Sequence, residues 1–224
     1  RKYFKSDFDF ANNNKPVKDF LDSLKKNISL EISLLKEFQK KHKTTEDFYN
    51  WAYNDIVYGN ANLLISYSGI NERNNIKIEG DLFDKKLFPV NNDSAFAIST
   101  YRTHLFFYYV KTYENIDSSF QKLLNQKKYK EIALNIISKV TKNEESGLSR
   151  DYMIYSLLKR IFMSSPEDFA SLLENKKTSI QNQVLLDNLF KIKTDYEKRK
   201  NNQDMMDKNL SETTADFWKK LKAK

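Results

Sequence analysis

The chain has 224 residues, 40% hydrophobic and 14% aromatic with 16 Phe and 13 Tyr, which is too much bulky apolar material for a disordered polymer. Four Gly and three Pro exclude turn-rich all-β folds and doubly wound folds with glycine loops, and zero Cys excludes disulfides, thiolate metal sites and thiol redox chemistry within the chain. The net charge of +8 raises nucleic acid or an anionic membrane as partners, but ten Lys/Arg against six Asp/Glu from Lys191 to Lys224 put about half the excess in the last segment.

What remains is an all-α fold, either one large helical domain or two helical subdomains sharing a core. Residues 1–14 read as an N-terminal arm, with Tyr3, Phe4, Phe8 and Phe10 ahead of three Asn. A helical core is expected over 15–200. Pro16 suits a first helical turn, and Val17, Leu21, Leu24, Ile28, Ile32, Leu35 and Phe38 form a stripe to about His42, interrupted by Glu31. Thr44 with Asp47 resembles a capping pair, and Phe48, Trp51, Ala52, Ile56, Gly59, Leu63 and Tyr67 predict an antiparallel second helix ending at Ser68-Gly69. Asn71 to Gly80 reads as a polar loop and Asp81 to Leu87 as a short helix. Pro89 keeps Phe88 extended in the Phe88-Pro89-Val90-Asn91-Asn92 turn.

Asp93 is the expected N-cap of a central helix that is apolar or aromatic all round from Leu105 to Val110. Asp117 to Asn125 gives a short helix, and Tyr129, Ile132, Ala133, Ile136, Ile137 and Val140 a longer one. Ser149 is expected to cap the next, Ser165-Pro166-Glu167-Asp168 opens another, and a long helix is expected from Ser179 to Lys200. Residues 201–210 read as a linker and 211–224 as a C-terminal docking helix, whose Phe217, Trp218 and Leu221 are the candidate interaction surface. The predicted architecture is an array of antiparallel helix pairs around the central aromatic helix. No apolar run nears the roughly 18 residues of a membrane span.

Chemistry-bearing motifs are sparse. His42 and His104 lie far apart; the first belongs to a basic helix end and the second reads as a hydrogen-bonded core histidine. Paired-histidine metal motifs, acidic calcium loops and glycine-rich phosphate loops are absent from the sequence. The carboxylate pairs Glu46/Asp47, Glu144/Glu145 and Glu167/Asp168 fall at helix starts or in a loop, where capping or solvation accounts for them. The stripes Trp51/Tyr53/Tyr58/Tyr67 and Tyr101/Tyr108/Tyr109/Tyr113 have helical spacing, which favours core over a platform for sugars or bases. No catalytic, cofactor-binding or metal-ligating residue is assigned.

Taken together, the Phe48 to Ser68 stretch, the Phe88 to Asn92 turn followed by Tyr101, and the Ser149-Arg150-Asp151-Tyr152 helix start are similar to the helical region preceding the thioredoxin-like domain of bacterial TlpA-like thiol-disulfide oxidoreductase lipoproteins. The similarity spans about Tyr3 to Lys224, and Trp218 to Lys224 resembles the run-in to the first strand of such a domain. It implies a non-catalytic accessory domain on the periplasmic side of the cell envelope, reaching the membrane only through a lipid anchor outside this chain. That domain would orient a C-terminal thioredoxin-like domain or hold its protein clients. Since the family's Cys-x-x-Cys would lie beyond Lys224, no active-site residue carries over. The rival expectation is a stand-alone helical binding module for peptide, glycan or protein, with specific nucleic-acid binding a weaker third.

Overall fold

Pro16 lacks the N–H that a first turn leaves unpaired, and α1 follows over Val17–His42. The computed structural model describes residues 16–73, 83–114, 118–176 and 179–222, with the backbone alone at 17, 118–121, 175–176 and 203–222. Lys40, Lys41 and His42 sit at the negative end of the α1 dipole, and Lys43 stops the helix in the left-handed conformation, φ 49°. Two residues on, the Thr45 hydroxyl accepts the Phe48 N–H at 3.3 Å and starts α2, Glu46–Arg73. The cap is thus Thr45 and not Thr44, one position along from the expected pair. The contacts between the two helices run in reverse order: Phe20 stacks on Tyr67, Asn27 bonds Asn60 and Gln39 reaches Glu46. They form an antiparallel hairpin. Gly69 does not end α2, because a helix already held by packing on both sides tolerates the roughly 1 kcal/mol cost of glycine.

The further helices are α3 (Ser99–Tyr113), α4 (Ser118–Asn125), α5 (Tyr129–Asn143), α6 (Leu148–Ser164), α7 (Pro166–Lys176) and α8 (Gln183–Lys222). The fold is all-α, with eight α-helices and no strand among the described residues. Packing runs from α1 to α2, from α2 to α3, and from α3 to α5 and α6; α6 then touches α5, α7 and α8. One apolar core follows this path, through Leu24 and Ile28 of α1, Leu64 of α2, Leu105 and Tyr109 of α3, Ile136 of α5, Leu158 of α6, Phe169 of α7 and Leu189 of α8.

From Phe83 to Ile98 the chain packs against the core through short turns alone, so its backbone polar groups need partners from side chains. Leu87 and Phe88 donate to the Asp84 carbonyl, making turns over 83–88 where a short helix was expected; 74–82 lie outside the described residues. Two buried tyrosines then hold the segment after Pro89. Tyr58 donates its hydroxyl proton to the Pro89 carbonyl at 2.8 Å and accepts from the Asn92 amide side chain at 2.9 Å. Tyr101 donates to the Val90 carbonyl, accepts the Asn92 N–H at 3.1 Å, and lies 2.6 Å from the Ser149 hydroxyl.

Several sequence expectations change here. Asp93 opens only a 3-10 turn, Asp93–Ala95, and its carboxylate accepts Ser149 Oγ at 3.1 Å and the Leu148 N–H at 3.4 Å. It therefore serves the start of α6, while α3 begins after Ile98 with no side-chain cap. Ser149 is buried in this network and does not cap. At the far end, Asn182 caps α8 through the Leu185 N–H at 3.1 Å, and buried Asp151 accepts the N–H groups of Gln181 and Asn182 at 2.7 Å each. The expected linker at 201–210 is helical, part of one continuous α8, as is the segment read as a run-in to a strand, through Lys222. Neither Gly nor Pro interrupts residues 183–222, so nothing in the sequence compels a break there.

Replacing Tyr101 with Phe keeps the ring but strands the Val90 carbonyl and the Asn92 N–H. The expected loss is about 1–3 kcal/mol in urea unfolding, whereas a change below the noise of the fit would show that the hydroxyl does not hold the turn.

Candidate functional site

α1 and α2 diverge along one side, and the gap is a cavity of about 500 Å³ open to solvent. Its walls include Leu34, Leu35 and Phe38 of α1 and Phe48, Ile56 and Leu63 of α2, with Gly59 leaving room between them. Leu34 and Phe38 are each 45% exposed, Phe48 is 39% and Trp51, just outside, 52%. Singly such exposure is ordinary; here the residues are contiguous, with Phe38 on Phe48 at 6.0 Å and Phe48 on Trp51 at 6.3 Å between ring centroids.

The cause is that α2 is buried on two sides. Val57, Tyr58, Ala61, Leu64, Ile65 and Ser68 are buried, with Tyr58 fixed at Pro89, and of the predicted stripe Tyr67 is buried against Phe20 of α1. The stripe's Phe48, Ile56, Gly59 and Leu63 line the groove. With the Tyr58 hydroxyl fixed at Pro89, the opposite side of the helix faces α1.

Polar groups occupy the groove's other part. Asn60 donates to Glu31 Oε2 at 2.9 Å and accepts from Asn27 at 3.0 Å, and Asp55 accepts the Thr100 hydroxyl at 2.9 Å. Glu31 and Asp55 are the charged lining residues, and among the described residues no Lys or Arg lines the cavity. An occupant therefore meets an apolar strip beside two carboxylates. It would match that surface with apolar side chains and cationic neighbours.

The other sequence candidates fall elsewhere. His42 is exposed, its ring tilted against that of Phe38 at 4.4 Å between centroids, at the basic end of α1. His104 is buried among Tyr58, Phe83 and Phe88, but neither ring nitrogen has a hydrogen-bond partner among the described residues, which corrects the expectation of a bonded core histidine. Burial lowers its pKa to about 4, and the Phe88 backbone acts in the opposite direction.

Of the carboxylate pairs, Glu46, Asp47 and Glu145 are exposed, but Glu144 is not the solvated loop residue its neighbours suggested. Its side chain is 2% exposed, accepts the Tyr108 hydroxyl at 2.6 Å and the Tyr113 hydroxyl, and lies 3.5 Å from Lys85. Burial first, and Glu144 second, push both phenols upward and keep them protonated. Exposed Glu167 accepts from Tyr196 at 2.7 Å. Tyr58, Tyr67, Tyr101, Tyr108, Tyr109 and Tyr113 are core, while Trp51 and Tyr53 are exposed at the hairpin. Phe217, Trp218 and Leu221 lie on the backbone of α8, their side chains outside the described residues.

A second cavity of about 230 Å³, between α4, α5 and α6, has the Glu114–Arg160 ion pair at its mouth. Among the described residues no group of three or more His, Asp and Glu lies close enough to hold a metal ion, and no helix is long and apolar enough to cross a membrane. Sequence reasoning did not assemble the groove. Its signals were Glu31 interrupting the α1 seam and Leu30 and Leu34 one turn apart beside it.

Two measurements check this description. Phe38→Ala should cost under about 1 kcal/mol while Leu35→Ala costs about 2–5 kcal/mol, because only the latter empties a buried site; equal losses in chemical denaturation would mean a closed groove. The His104 ring is neutral in the fold and chargeable when unfolded, so its contribution is intact above the ordinary histidine range and falls away as pH drops from about 6.5 to about 4. Over that window His104→Phe should lose about 3 kcal/mol less stability than the parent chain, and parallel curves would refute the burial of an unpartnered ring.

No family model, curated protein or solved structure matches the chain.

Proposed function

We propose that this chain is a non-catalytic interaction domain whose α1–α2 groove holds an apolar, cation-bearing segment of a protein. The observation that carries the proposal is the contiguous exposed strip of Leu34, Phe38, Phe48 and Trp51 beside Glu31 and Asp55. Such a surface is costly to leave in water, at about 25 cal/mol per Å² of apolar area, and covering it is the simplest return. The absence of a bond-making role is supported by the use of the buried hydroxyls and carboxylates on one another and on backbone groups: Tyr58, Tyr101, Tyr108, Tyr113, Glu144 and Asp151 all have structural partners.

The resemblance to the helical region of TlpA-like oxidoreductases gives the occupant a context. On this reading the groove receives an unfolded thiol client, or a face of the thioredoxin-like domain, in the bacterial envelope. A stand-alone peptide-binding module has the same groove chemistry and differs only in lacking a redox domain beyond Lys224. A glycan platform is less well supported, because the groove wall is chiefly aliphatic and phenyl and the exposed Trp51 and Tyr53 lie outside it.

A reduced and alkylated, permanently unfolded reporter protein carrying a fluorophore should bind the chain in anisotropy titrations, and Phe38→Asp should weaken that binding at least tenfold with the thermal unfolding curve retained. Absence of binding at 100-fold molar excess of the chain, or equal binding by the variant, would overturn the proposal.

A further inference from the structure

We infer that α1 pairs antiparallel with α1 of a second copy of this chain along the Leu30–Leu34 ridge, so that the chain forms a two-fold dimer. This goes beyond the groove reading: the ridge is the outer side of α1, and Leu34 and Phe38, which also wall the groove, are where the two surfaces meet.

The first observation is where apolar surface is left uncovered. Of the nine large hydrophobic side chains exposed among the described residues, six stand on the α1–α2 hairpin. Leu30, 53% exposed, and Leu34 are one turn apart on α1 and, at about 100° per residue, lie about 40° apart around it, with Phe38 a further turn along. They form one ridge in the middle of a helix of 26 residues, long enough to pack lengthwise on another helix.

The second observation is the order of charge beside that ridge. Asp22, Lys26, Glu37 and Lys40, all exposed, lie along its edge on the side away from the groove, with Ser29 and Ser33 between them. Turned end for end about residue 31, this row meets itself in register. Asp22 falls against Lys40, Ser29 against Ser33, and Lys26 within one residue, about 1.5 Å, of Glu37. Every charge in the row meets its opposite, whereas parallel pairing would set each against its like. The helix dipole accounts for an acidic start and a basic end of α1, but not for Lys26 and Glu37 in its middle. Asp22 and Lys26, and Glu37 and Lys41, also have the spacing for pairing within the helix. No ion pair joins either couple among the described residues, while Lys128–Glu131 and Lys193–Glu197 do close at such spacings. Lys25 and Lys36 point about 140° or more away from the ridge. Glu31, at the pivot, is on the groove side, where Asn60 donates to it at 2.9 Å.

Analytical ultracentrifugation of the 224-residue chain at about 50 mM salt should show a monomer–dimer equilibrium between about 1 and 200 µM. Leu30→Asp should raise the dissociation constant at least about tenfold and leave the melting curve at about 1 µM unchanged, because the side chain is exposed. Lys26→Glu and Glu37→Lys should each weaken the dimer about three- to tenfold, since a two-fold pair makes each contact twice, and the double variant should return to within about twofold of the parent. A purely structural effect of either residue would not be repaired by the second exchange. The inference fails if the chain is monomeric throughout that range, if the dimer is unaffected by Leu30→Asp, or if the double variant is no tighter than the weaker single one. A monomeric chain that still binds the unfolded reporter in a Phe38-dependent manner would remove this pairing and leave the groove as a site. A dimer with the expected charge response but no reporter binding would do the reverse.

Discussion

The architecture depends on how an irregular segment is made tolerable against a helical core. Between α2 and α3 the carbonyls of Pro89 and Val90 and the N–H of Asn92 lie outside any helix, and a buried polar backbone group without a partner costs about 1–3 kcal/mol. Two tyrosine hydroxyls supply the partners, one from each flanking helix. Because a phenol reaches its target in essentially one rotamer, each hydroxyl also fixes the rotation of its helix. Tyr58 turns its side of α2 toward that segment and Tyr101 does the same for α3, while Ser149 and Asp93 tie the start of α6 to the same point. Four elements are thereby aligned by one small group of hydrogen bonds.

The open groove is a consequence of that alignment. An α2 helix rotated to place Tyr58 and Leu64 inward has its Phe48, Ile56, Gly59 and Leu63 side left over for α1, and α1 alone is too narrow to cover it. Covering it fully would need a larger residue at Gly59 or a third helix. Two buried carboxylates elsewhere are similarly paired: Glu144 accepts two phenols, and Asp151 accepts two backbone N–H groups ahead of α8 while lying 3.2 Å from Arg150. His104 is the contrast, a ring kept neutral by its surroundings with no bonded nitrogen among the described residues.

These arrangements distinguish two parts of the molecule. Around α3 and α6 the hydroxyls of Tyr101, Tyr108, Tyr113 and Ser149 and the carboxylate of Glu144 are paired within the fold. Along α1 and α2 the surface is apolar, concave and flanked by carboxylates. A helix hairpin with that surface suits capture of an amphipathic segment. Among the residues that carry the family resemblance, Tyr58 of the Phe48 to Ser68 stretch, the Pro89 to Asn92 part of the turn, Tyr101 and Ser149 meet in one place. Their meeting is structural, and it neither requires nor excludes the redox partnership the resemblance implies.

Local pattern was enough for the helical class, most helix positions and several helix starts: Pro16, Ser165 and the periodic stripe from Tyr129 to Val140 are signals that need no distant partner. It also singled out Asp93, Ser149 and Tyr101, without revealing what each would bond. The buried face of α2 was not legible in this way, because two apolar stripes compete on that helix and a hydroxyl bond 31 residues away selects between them. Likewise, Glu144 is a loop carboxylate by local pattern and a buried acceptor by contact, since Tyr108 and Tyr113 reach it from 36 and 31 residues away. Periodicity records the affinity of a side chain for an apolar environment; which neighbour provides that environment is settled by long-range hydrogen bonds that must all be satisfied at once.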